Sequence, residues 1–142
     1  MKKCLILSFL IFVCVLSNAQ KFDSAQHYQI KNFNAAIFPK EYERILYADT
    51  TIKLRFTATV NEILLAYKAL NSKEYDNYKW QFFGYINSKG EKLLSINGFS
   101  WTDASDWLQS EIIMDDGGCS YWQALYNLDT GKIVFFSCNG EA

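Results

Sequence analysis

The chain has 142 residues, is 50% hydrophobic and 20% charged, and carries one histidine, one proline and a formal net charge of −1. That much apolar surface cannot stay solvated, which excludes collagen-like, low-complexity and disordered classes. No dense basic stripe is present to neutralise phosphates, so nucleic acid is excluded as a partner.

Met1-Lys2-Lys3 is a basic start, Leu5 to Leu16 form an apolar run, and Ser17-Asn18-Ala19 supply the small residues a signal peptidase reads. These are the three parts of a secretory signal, and the run is too short to span a bilayer. Residues 1–19 are therefore expected to be removed. Residues 20–142 remain as one exported domain, periplasmic or extracellular, with no stable membrane insertion. Val13 before Cys14 does not fit a lipoprotein cleavage site. The mature chain has 12 basic and 15 acidic residues, net −3. Residues 20–92 are net +3, whereas residues 93–142 hold seven acidic residues against Lys132 alone, net −6.

Residues 20–50 carry scattered aromatics at Phe22, Tyr28, Phe33, Phe38, Tyr42 and Tyr47, with a short helix expected over Pro39–Leu46. Thr51–Phe56 alternates strictly and predicts a half-buried strand with Ile52, Leu54 and Phe56 on one side. Thr59-Val60-Asn61-Glu62 fits a capping box, after which Val60, Ile63, Leu64, Tyr67 and Leu70 recur at helical spacing. Beyond this helix all seven glycines lie at or after Gly84, and the pattern turns to β. Tyr78–Asn87 and Glu91–Trp101 flank Ser88-Lys89-Gly90 as one hairpin. Ser120–Leu128 and Lys132–Asn139 flank Asp129-Thr130-Gly131 as a second. Trp107–Met114 is expected to add a short strand or helix. The expected fold is α+β, a four- or five-stranded antiparallel sheet with one or two helices packed on one face.

Both sides of the predicted strands carry bulky residues: Trp80, Phe82 and Ile86 oppose Phe83 and Tyr85, while Ile133 and Phe135 oppose Val134 and Phe136. A sheet with one solvated face alternates apolar and polar, so both faces here require cover. The capped helix is assigned to one face, and residues 20–50, a second subunit or a ligand to the other, with self-coverage by residues 20–50 favoured. Cys119 and Cys138 survive processing in a disulfide-permissive compartment. If Asp129 faces Lys132, Cys138 lies opposite Gln123, about 13 Å along the strand from Cys119. They pair only if a bulge or bend near Gly117-Gly118 closes that gap; otherwise they remain two free thiols.

His27 lies in a poorly patterned stretch with no nucleophile elbow, and no cysteine or histidine pair has zinc-site spacing. Asp103, Asp106, Glu111, Asp115 and Asp116 crowd a stretch free of Lys and Arg. Paired carboxylates there would suit a hydrolase, and Trp101 with Trp107 would suit stacking on a sugar. The spacing matches no EF-hand loop, and Asp115-Asp116-Gly117-Gly118 also reads as a tight turn or bulge.

Tyr78, Gln81, Gly84, Asn87 and Gly90, then Trp107, Asp116-Gly117-Gly118 and the terminal Asn139-Gly140-Glu141-Ala142, resemble a group of small uncharacterised exported proteins of Bacteroidetes-type bacteria. The likeness runs from the helix onward, and the Asn18-Ala19-Gln20 ending of the leader is similar to export signals of that lineage. Thr57-Ala58-Thr59 departs from the Pro-Thr expected before the helix. The resemblance implies an α+β fold similar to cystatin-like or nuclear-transport-factor-like domains, and no activity.

The expected function is that of an exported non-enzymatic domain contacting a protein or small ligand. The contact residues would be Trp80, Tyr85, Trp101, Trp107 and Trp122, rimmed by Asp115 and Asp116, with no metal or cofactor and with a homodimer as one arrangement. The alternative is a cell-envelope hydrolase or carbohydrate-binding domain using the 103–116 acidic cluster.

Overall fold

The computed structural model of the chain describes residues 24–43, 52–70, 75–100 and 105–140. Among them are β1 (Gln26–Ile30), β2 (Phe33–Ile37), β3 (Ile52–Phe56), α1 (Val60–Leu70), β4 (Lys79–Asn87), β5 (Lys92–Phe99), β6 (Tyr121–Asn127) and β7 (Lys132–Cys138). The seven strands form one sheet in the order β1-β2-β4-β5-β6-β7, with β3 also paired to β4. All neighbours are antiparallel except β2 and β4, which run parallel. One edge of β4 is shared: β2 takes Lys79–Phe82 and β3 takes Gly84–Asn87.

The sheet is thus larger than the four or five strands expected. The additional strands come from the segment assigned as cover. Residues 26–37 fold into the β1–β2 hairpin, whose two-residue turn places Lys31 at φ 51°. With lysine at that left-handed position and asparagine only after it, Lys31-Asn32 lacks the Asn-Gly, Asp-Gly or leading-glycine pattern of such turns. The helix expected over Pro39–Leu46 is a turn where it is described, with the Tyr42 N–H donating to the Pro39 carbonyl at 3.0 Å, and residues 44–46 lie outside the described residues.

The helix starts where the capping box placed it. The Thr59 hydroxyl accepts from the Glu62 N–H at 3.3 Å, and Glu62 Oε2 accepts from the Thr59 N–H at 2.8 Å, so each residue satisfies the other's free donor. Ile63 and Ala66 of α1 are buried against Phe33, Ala35, Ile37, Trp80, Phe82, Leu94, Ile96, Trp122 and Ala124. The indoles of Trp80 and Trp122 meet edge to face at 4.7 Å, a preferred aromatic geometry. Gly98 lies under Trp122, and a Cβ built on it would overlap the indole ring. Fully burying one large apolar side chain stabilises by about 1.5–3 kcal/mol, so this cluster anchors helix to sheet.

The opposite face is closed differently. Phe38 stacks on Phe83 at 4.5 Å, and Trp107 packs edge-on to Phe99. Ala25, Tyr42, Leu108, Ile112 and Met114 complete the layer. The cover therefore comes from Ala25, Phe38 and Tyr42 together with the 105–116 segment. Residues 107–114 form no strand or helix; the Gln109 and Ser110 N–H groups instead turn back to the Asp106 carbonyl.

Candidate functional site

The sheet's terminal strand, β7, is formed by Lys132-Ile133-Val134-Phe135-Phe136-Ser137-Cys138, rich in the β-branched and aromatic residues that favour extended structure. One side of it pairs with β6, and among the described strands nothing pairs with the other. Val134, Phe135 and Phe136 are 56%, 46% and 40% exposed. Natural edge strands are commonly guarded by charge or proline; between Ile133 and Cys138 this one carries neither.

Local geometry sets the strand's presentation. The register to β6 shifts between Leu125 and Tyr126, which leaves Val134 as the extra residue of a bulge between Ile133 and Phe135. Asn139 N–H donates to the Tyr121 carbonyl at 3.1 Å. By the alternation of an antiparallel ladder, Ser137 and Phe135 turn their backbone groups toward β6, and Phe136 and Cys138 turn theirs outward. Phe136 is steadied by Trp122 at 5.6 Å and Tyr75 at 5.9 Å between ring centroids.

The Cys138 end is pinned. Cys119 and Cys138 form a disulfide with Cα atoms 4.6 Å apart. The turn pairs Lys132 with Asn127 and not with Asp129, two places nearer Cys119; the bulge takes one place back, so that Cys138 faces Trp122, and a 3-10 turn at Gly118–Ser120, entered through Gly117 at φ 96°, folds Cys119 back toward it. The carboxamide of Asn139 donates to the carbonyls of Met114 and Asp116, and the Gly118 N–H donates to the Gly140 carbonyl at 3.1 Å. The exposed Asp115-Asp116 turn is thereby fastened beside the end of β7, while Lys132 stands exposed at its start.

The residues singled out from sequence are dispersed. Trp80 and Trp122 are wholly buried on the helix face, and Tyr85 and Trp107 are buried on the other. Asp115 and Asp116 are exposed. Trp101 and Asp103 lie outside the described residues. Asp106 opens a turn through its carbonyl, and Glu111 is partly buried, with its N–H donating to the Tyr42 hydroxyl at 2.8 Å. Among the described residues no three His, Cys, Asp or Glu side chains gather as metal ligands would, and no helix is long and apolar enough to cross a membrane.

Two features were not drawn from the sequence. Gln81, Asn97 and Gln123 are cross-strand neighbours in a row over β4, β5 and β6. Gln81 donates to the Trp107 and Ser110 carbonyls at 2.7 and 2.8 Å and accepts from the Ile112 N–H at 2.8 Å. Asn97 donates to the Ile112 carbonyl at 3.2 Å. Their signal was an amide at an inward-facing position of an otherwise apolar strand, where only a buried backbone partner makes it tolerable. The second is the β7 surface, whose signal was apolar residues on both faces of the last strand. Comparison with protein-family models, curated proteins and solved structures finds no match.

Proposed function

We propose that this chain is an exported, non-enzymatic interaction domain that engages a protein through the open edge of β7. The observation carrying this reading is the exposed Val134–Phe136 run on a strand whose outer edge pairs with none of the described strands and whose outward backbone groups lie at Phe136 and Cys138. Such an edge accepts an extended segment, main-chain hydrogen bonds supplying affinity and alternate side chains specificity. The leader at residues 1–19 and the Cys119–Cys138 disulfide support export. The resemblance to small exported Bacteroidetes-type proteins points the same way, toward an α+β domain without an assigned reaction. Trp122, itself packed on Trp80, serves this function from inside, holding Phe136 in place.

Site-specific photo-crosslinking in the producing cell tests it. Benzoylphenylalanine at position 134 should yield a discrete crosslinked protein, and the same probe at Lys89 on the exposed β4–β5 turn should not. Absence of any product from position 134 would overturn the reading.

A further inference from the structure

We infer that the partner at the β7 edge is a second copy of this chain, paired antiparallel about a two-fold axis near Phe136. This rests on the edge reading above and adds to it the identity of the occupant.

The two ends of the edge carry opposite charge. Lys132 is the only charged residue of β7 and stands at its start. At its end, the Asn139 carboxamide holds the Asp116 carbonyl at 3.2 Å and the Gly140 carbonyl accepts from the Gly118 N–H. The backbone of the exposed Asp115-Asp116 turn is therefore held beside that end.

A two-fold contact is self-complementary, so whatever one end of the patch carries meets the other end of the second copy. Pairing about Phe136 uses its outward N–H and C=O, and sets Lys132 opposite Gly140 of the second copy, next to that copy's Asp115-Asp116 turn. The same match repeats at the other end. Parallel pairing would instead place lysine beside lysine, a like-charge contact that works against pairing. The other outer strand of the main sheet path, β1, is mostly polar, with sequence Gln26-His27-Tyr28-Gln29-Ile30. It offers no comparable apolar run.

Sedimentation equilibrium on the disulfide-intact protein is the test, with two surface variants chosen to leave the core untouched. The wild-type chain should reach twice the monomer mass as its concentration rises, and should do so less readily at high salt. Lys132→Glu alone, and Asp115→Lys with Asp116→Lys, should each weaken association about tenfold or more, because like charges then meet at both ends. Mixing the two variants should restore dimerisation, since every end again pairs opposite charges. A wild-type chain that stays monomeric, or a dimer indifferent to these substitutions, overturns the inference. The crosslink at position 134 separates the two failures. A product of twice the chain's mass belongs to self-pairing, and a product of another mass overturns self-pairing while leaving the edge reading intact. No product removes both.

Discussion

The carboxamide nitrogen of Gln81 holds the backbone carbonyl of Trp107 at 2.7 Å, and with the Ser110 and Ile112 contacts it fastens a strand to the loop crossing it. Gln81 and Trp107 are both buried, so the Trp107 carbonyl has little recourse to water. Losing one side of such a bond exposes the full desolvation cost of the other.

Gln81→Leu should therefore destabilise the fold by about 2–4 kcal/mol, read as a lower urea midpoint with an earlier change in near-ultraviolet circular dichroism. Gln81→Glu should be worse at neutral pH, because a carboxylate would face two carbonyls. Those carbonyls and burial favour its protonated form and raise its folded pKa above the unfolded value. The variant should accordingly regain stability as pH falls into the range where the carboxyl binds a proton. Equal stability of wild type and Gln81→Leu would remove the anchoring role.

The Cys119–Cys138 bridge joins residues 19 apart in sequence. Closing a loop of that order stabilises by about 3 kcal/mol in the chain-entropy account. The double substitution Cys119→Ser, Cys138→Ser should cost roughly that amount in urea. A thiol reductant should lower the wild-type midpoint toward the double variant's and leave the double variant unmoved.

Gly98 has no space for a side chain, because the Trp122 indole occupies the position of a Cβ. Gly98→Ala should cost about 1–3 kcal/mol or more, as overpacking in a rigid sheet does. Gly90, with φ +84° but nothing within 4 Å, should lose about 1 kcal/mol on the same substitution, from backbone strain alone. Thermal melts of the two variants side by side would show the ordering.

Burial alone would raise the Glu62 carboxyl pKa, but the Lys92 ammonium at 2.5 Å, with the Thr59 N–H and hydroxyl, outweighs it and holds the carboxyl below its ordinary 4.5. A depressed folded pKa gives stability that is present above the unfolded value and is lost as pH falls through the folded one. Lys92→Met should flatten that acid limb below about pH 4.5 and leave the neutral-pH stability within about 1 kcal/mol. Urea midpoints at pH 7 and pH 3 measure both quantities.

Local chemistry was legible in the sequence. Thr59 and Glu62 marked the helix start, and Gly90 and Gly131, both at positive φ, marked the two hairpins. Long-range pairing was not. The β2–β4 contact joins Asn34–Ile37 in parallel to Lys79–Phe82 across the whole helix, and neither strand carries a residue that announces its neighbour. The disulfide was open for a related reason: Asn127 and not Asp129 faces Lys132, and a one-residue bulge at Val134 then shifts the register by one; neither the wider turn nor a bulge without glycine leaves a mark. The edge residues Val134, Phe135 and Phe136 were visible as apolar, but their exposure depends on which strand ends the sheet, and strand order is a property of the assembled fold.

The Cys119–Cys138 bond closes β6, its turn and β7 into a covalent ring. A strand held by hydrogen bonds alone can be peeled from its free end one bond at a time. Here the end that would open first is welded to the start of its neighbour. Tension applied at the end of β7 thus passes through the covalent bond to Cys119 without unzipping the β6–β7 ladder, so the strand with the open outer edge is also a mechanically sound handle on the molecule.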